Sequence, residues 1–235
     1  MPNSRFSTSL ETNGGGGRWL ARIPLTPIAA LLSTGCSGPL STLDTAGPAA
    51  GTIATLWWVM LAGSVAILAL VLALLALAFM RQGGTSPSQR TWIVWLGLAF
   101  PGAVLAALLA YGLVVGEKLL PRAGPQVVQV AAEAERWRWT FTQQAPDGTR
   151  FVTVGTLHIP ANRPVDVAIT TRDVIHSFWV PRLAGKLDAI PGRINVLRIE
   201  ASGPGVYEAQ CAEYCGIGHS GHNFRVIAHD WGSAQ

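Results

Sequence analysis

Residues 151–171, FVTVGTLHIPANRPVDVAITT, decide the fold. Two runs rich in Val, Ile and Thr flank the break Pro160-Ala161-Asn162-Arg163-Pro164. β-Branched residues suit a pleated, half-buried surface, and proline removes a ladder donor, so each run reads as a short strand and the break as a turn. The same texture continues outward. VVQVAAEA and WRWTFTQ lie upstream; INVLRIEA, GVYEAQC and NFRVIAHD lie downstream. Pro146-Asp147-Gly148, Pro191-Gly192 and Gly203-Pro204-Gly205 punctuate them. Short strands at regular spacing imply a β-sandwich or barrel. The roughly 110 residues from Gln126 onward suffice for one such domain with its own core. There is no internal repeat.

Upstream of Gln126 the character changes. The whole chain is 49% hydrophobic and 13% charged, about half the charge of an ordinary soluble domain. The deficit is concentrated in residues 54–80 and 91–116, which carry no charged side chain over 27 and 26 residues. A bilayer crossing needs about 20 apolar residues, so both segments are expected to be transmembrane helices forming a hairpin. The alternative, a buried soluble helix, calls for a shorter and more amphipathic pattern. Pro101 is expected to kink the second span. The connecting loop, 81–90, has Arg81 and Arg90 as its only charges, which places it in the cytoplasm. Segment 37–53 and residues 117–235 then lie outside.

Residues 1–36 read as an export signal. Arg18 and Arg22 precede the modest apolar stretch Ile23–Leu32, which ends in Ser33-Thr34-Gly35-Cys36. The ending is similar to a bacterial lipoprotein box, in which the cysteine is acylated after cleavage. Ser33 replaces the usual leucine, and Pro24 and Pro27 interrupt the run; the other reading of Cys36 is a small residue in a leader. The net charge of +4 comes from scattered residues, so no nucleic-acid partner is expected. Three cysteines, Cys36, Cys211 and Cys215, do not make a disulfide framework.

The chemistry is concentrated in Cys211-Ala-Glu-Tyr-Cys215-Gly-Ile-Gly-His219-Ser-Gly-His222. Two thiols and two imidazoles within twelve residues suit zinc, copper or iron. Structural zinc more often draws on two separate cysteine pairs. A fifth candidate is His176, in Asp173-Val-Ile-His-Ser-Phe-Trp179, where the following aromatic bulk suits a buried ligand.

The run DVIHSFWVPRLAGKLDAIPGR…GVYEAQCAEYCGIGHS resembles the copper-binding domain of cytochrome c oxidase subunit II, the haem–copper terminal oxidase family. The likeness covers roughly residues 126–230, and the two spans and Trp137-Arg138-Trp139 extend it. It implies a cupredoxin-like Greek-key β-barrel, anchored by two transmembrane helices, holding a binuclear CuA centre of two copper ions per chain. The thiolates of Cys211 and Cys215 would bridge both metals, and His176 and His219 would each cap one. The Glu213 carbonyl would be a weak ligand, while its side chain helps to bind magnesium against subunit I. Trp137 would receive electrons from cytochrome c, and Asp188 would help the donor dock. Generic alternatives are packing for Trp137 and a turn residue beside Pro191-Gly192 for Asp188. Oxygen reduction and proton translocation would belong to subunit I and the remaining subunits, in a bacterial inner membrane with the C-terminal domain on the periplasmic face.

One position departs from the family. The methionine expected three residues after His219 is replaced by His222, and Met1, Met60 and Met80 all lie outside the β-domain. Either His222 binds copper instead or the axial position is weak; the alternative for the side chain is a solvated loop residue. His158 is expected in the core or an edge strand and His229 at the surface. Two rival functions are a quinol oxidase subunit II without copper, and a copper storage or delivery protein. The retained cysteines and histidines oppose the first, and the aromatic setting of His176 opposes the second.

Overall fold

The computed structural model describes residues 36–80, 88–122, 124 and 126–231. The expected export signal, apart from Cys36, and most of the expected 81–90 loop lie outside these residues.

Among the described residues, two helices are long and apolar enough to cross a membrane: α1, Pro48–Met80, and α2, Gln89–Leu119. Each extends beyond its expected bounds. α1 opens with Pro48, whose missing N–H is no loss in a first turn. Ser88 caps α2, its Oγ accepting from the Thr91 amide at 3.2 Å. Pro121, just past Leu119, cannot continue the ladder. Within α2 the stretch Trp92–Ala99 is π-helical, the Phe100 amide reaching back to Trp95. The winding therefore departs from α immediately before Pro101, where a proline ring crowds the preceding turn.

Ten strands follow: β1 Val128–Glu135, β2 Arg138–Gln144, β3 Arg150–Val154, β4 Thr156–Pro160, β5 Val165–Thr171, β6 His176–Trp179, β7 Lys186–Ala189, β8 Asn195–Ile199, β9 Gly205–Cys211 and β10 Asn223–His229. They form two five-stranded sheets, ordered β3-β2-β1-β5-β8 and β4-β10-β9-β6-β7. The β1·β5 and β4·β10 pairs are parallel and the others antiparallel. The domain is thus a sandwich of two mixed sheets with the cupredoxin-like arrangement. The sequence run FVTVGTLHI splits at Gly155, whose φ of 70° suits glycine, so that β3 and β4 join different sheets.

Trp139, Phe141, Leu157, Ile159, Ile169, Phe178 and Ile199 are completely buried between the sheets. Each contributes roughly 1.5–3 kcal/mol by leaving water. β2 shows the alternation that places them: Trp139, Phe141 and Gln143 point inward and the residues between them do not. The segment before α1 is tied to this domain. The Ala46 amide donates to the Arg182 carbonyl at 2.7 Å, and the Ser202 amide donates to the Ala46 carbonyl at 2.8 Å. Arg182 Nε donates to the Asp44 carbonyl at 2.8 Å. The chain before α1 is therefore packed against the β-domain that follows α2.

Candidate metal centre

Strand β6 and the β9–β10 connection bring the donors together. The register pairs Phe178 with Cys211, so His176 and Cys211 end neighbouring strands at one edge of the sandwich. The loop is closed at its base by the Cys211 amide donating to the His222 carbonyl at 2.9 Å, and is fastened to β6 by the Ala212 amide donating to the Ser177 carbonyl at 3.0 Å. A 3₁₀ turn, His219–Gly221, then delivers His222 inward.

His176, Cys211, Cys215 and His222 are all buried, with one potential ligand atom of each within 4.8 Å of the others. The sulfurs of Cys211 and Cys215 are 4.0 Å apart. His176 Nδ1 lies 3.8 Å from Cys211 Sγ. Both His219 Nδ1, at 3.5 Å, and His222 Nδ1, at 3.6 Å, face Cys215 Sγ. The Glu213 carbonyl lies 3.3 Å from Cys211 Sγ. His222 is 0% exposed, stacked against Trp139 at 5.7 Å, and is not a solvated loop residue. Its Nε2 is buried without a partner.

Burial keeps these donors uncharged in the metal-free site. Burial, followed by the neighbouring Cys211, pushes the Cys215 thiol up to about 11. Burial, followed by repulsion from His176, pulls His222 down to about 4, so its imidazole is neutral and able to donate to a metal. A coordinating cation reverses the cost of the thiolate outright. Sulfur–metal bonds of about 2.3 Å let two sulfurs at the observed separation share one ion. A thiophilic metal thus fits this donor set.

Asp173 and Arg136, to which the sequence reading gave no role, complete the site. Asp173 Oδ1 is 2.8 Å from His176 Nε2, the carboxylate–imidazole contact that orients a metal-binding histidine. Burial would raise the Asp173 carboxyl, but hydrogen bonds from His176, the Val174 amide and the Arg136 amide outweigh it and hold it at about 2. Arg136 Nε donates to the Cys215 carbonyl at 3.1 Å. The detectable signal was a carboxylate three residues before a candidate ligand; the Arg136 contact spans 79 residues and had none.

Trp137 is 46% exposed, at the rim of the loop, whereas Trp139 is wholly buried. Asp188 is on β7, opposite Ser177, rather than in the Pro191-Gly192 turn. Lys186 Nζ stands between Asp188, at 3.5 Å, and Glu213, at 3.7 Å. His229 is half-buried rather than free on the surface: its Nε2 is 2.8 Å from Nδ1 of His158.

Fold and donor set together define a class: a cupredoxin-like domain with a buried thiol–imidazole cluster able to hold a metal, carried behind two membrane-length helices. Residues 146–228 match the family profile for cytochrome c oxidase subunit II, periplasmic domain. The β-domain belongs to that family. The chain is 30% identical over 219 residues to cytochrome c oxidase subunit 2 of Alkalihalophilus pseudofirmus, covering 84% of this chain and 61% of the relative. It is 38% identical over 118 residues to the subunit 2 of Synechocystis, covering 48% of this chain and 34% of the relative. The chain thus spans less than two thirds of the length of these relatives. The crystal structure of the periplasmic domain of subunit II of cytochrome oxidase from Bradyrhizobium japonicum is 26% identical, with a TM-score of 0.42, covering 48% of this chain and 89% of that one.

Proposed function

We propose that this chain is the electron-accepting subunit of a haem–copper terminal oxidase. It receives electrons from a cytochrome c at a binuclear copper centre and hands them to the catalytic subunit I, where oxygen is reduced and protons are translocated. The observation that carries this reading is the convergence of two thiols and two imidazoles, all buried, within 4.8 Å.

In this reading the thiols of Cys211 and Cys215 and the imidazoles of His176 and His219 would hold two copper ions, with the Glu213 carbonyl as a weak donor. His222 occupies the place of the family's methionine and is the further ligand. Copper held there would supply a one-electron store delocalised over two metals. The protein's part is to hold the donors still. Two sheets and the hydrogen bonds closing the loop leave the ligands little freedom to relax between oxidation states, which keeps reorganisation small. Trp137 receives the electron, Asp188 docks the donor, and the Glu213 side chain helps to hold magnesium at the subunit I interface. The domain faces the outer side of a bacterial inner membrane, consistent with arginines as the only charges of the 81–90 connection.

The test is copper reconstitution of the full chain in detergent, with metal counting and EPR. Two coppers per chain and a mixed-valence signal are expected; one copper, or none, overturns the proposal.

A further inference from the structure

Two glycines of the ligand loop face the indole of Trp137, for different reasons. Gly216 has φ +127°, a conformation that L side chains rarely adopt. Gly218 has φ −83° and ψ 6°, an allowed region for other residues. The backbone therefore does not call for glycine at 218. The indole does. A Cβ built on Gly218 would collide with the Trp137 ring, meeting Cδ2 most closely, Cε2 at 2.7 Å and Cε3 at 2.9 Å.

The ring has little room to retreat. The turn that carries it is fastened to the site on two sides: the Arg136 amide donates to Asp173 Oδ2 at 3.0 Å, and Arg136 Nε donates to the Cys215 carbonyl at 3.1 Å. The indole thus lies directly on the backbone preceding His219, with one edge in solvent.

We infer that Gly218 is a positioning residue for electron acceptance: the missing side chain lets Trp137 seat on the ligand loop, and that seating couples the exposed indole to the metal centre. The inference rests on the proposed role of Trp137 and adds a steric requirement to it.

The experiment uses the full-length, copper-loaded protein in detergent as wild type, Gly218→Ala, Trp137→Ala and the double variant. Reduction is followed by stopped flow with cytochrome c and, separately, with dithionite, a small reductant that has no need of the indole. An ångström-scale misplacement can cost up to ~100-fold in rate; Gly218→Ala is expected to slow reduction by cytochrome c at least about tenfold and to leave the dithionite rate unchanged. Because the three atoms nearest the added methyl all belong to the ring, the double variant should be no slower than Trp137→Ala. A second readout needs no copper. In metal-free protein containing 5-fluorotryptophan, the ¹⁹F resonance lost in Trp137→Ala should shift in Gly218→Ala.

Equal slowing by Gly218→Ala in both backgrounds would mean that the methyl acts on the ligands, and the inference fails. An unmoved ¹⁹F resonance also overturns it, including where the variant does not load copper. If Trp137→Ala itself is reduced at the wild-type rate, the role of Trp137 in electron acceptance falls instead, and the inference with it.

Discussion

Strand β10 has a histidine pair near each end, and the two pairs have different chemistry. Before its first residue, His219 and His222 approach the Cys215 thiol, with the Cys211 thiol and His176 close by. At its last residue, about 20 Å along the strand, the Nε2 of His229 meets another imidazole, that of His158. Their rings are 20° from coplanar with nitrogens 2.8 Å apart, and Trp231 stacks on His229 at 4.8 Å. The nitrogens at this far end point at each other and satisfy each other. At the near end several donors, His222 Nδ1 among them, point into one space. Histidine content does not make a metal centre. Convergence of different donors, with burial that disfavours thiolates until a cation arrives, does.

The sharpest way to break this contrast is to remove a thiol. Cys211→Ser and Cys215→Ser should each abolish the mixed-valence copper signal, because a hydroxyl neither ionises nor bridges as a thiolate does. An intact EPR spectrum in either variant would show that the near end is not the centre. A smaller effect is expected from Asp173→Asn, which keeps the shape and removes the charge facing His176 Nε2. Loss of such an orienting partner costs about 10–100-fold in metal affinity, measurable by competition with a copper chelator. Unchanged affinity would leave Asp173 as no more than a link to the Arg136 turn.

Much of this contrast was legible in the chain, and the rest was not for definable reasons. The two spans and most strands followed from uncharged length and β-branched runs. Gly155 was visible inside such a run, but its consequence, a change of sheet, depends on pairing with strands far away. β6 and β7 have four residues each, too few for alternation to register, and β6 is buried on three of them. The π-helical stretch of α2 has no compositional mark beyond the proline that follows it. In the site, spacing pointed to the thiols and imidazoles, since their donors sit on one loop and one strand end. It could not separate Trp137 from Trp139, two residues apart, one at the rim and one in the core. Nor could it pair His158 with His229, 71 residues apart.

His222 sharpens the comparison within the near end. Imidazole is a harder donor than thioether and favours Cu(II), so His222→Met should raise the reduction potential by some tens of millivolts, where ~59 mV is a tenfold shift for one electron. A redox titration of both proteins measures it, and coincident potentials would exclude His222 as a ligand. The metal-free Met variant should melt no lower than wild type, because the substitution removes a buried, unpartnered Nε2.

The smallest effect belongs to the far end. His158→Gln and His229→Gln should leave copper content and spectrum unchanged and cost about 1 kcal/mol, the worth of one hydrogen bond. Their signature lies in pH dependence. Burial, and then repulsion from His229, hold the His158 pKa below its ordinary value, while the unfolded chain takes up a proton near ~6.5. A histidine with a depressed folded pKa stabilises the protein above the unfolded pKa, and that contribution fades as pH falls. The melting temperature of wild type should therefore drop more steeply than that of His158→Gln on going below about pH 6.5, with the metal-free protein used for both so that copper loss adds nothing. Parallel curves would show that His158 takes up its proton over the same pH range folded as unfolded, and that burial does not hold its pKa down. Loss of copper from either variant would remove the distinction between the two ends of β10, because the far pair would then be acting on the centre from about 20 Å away.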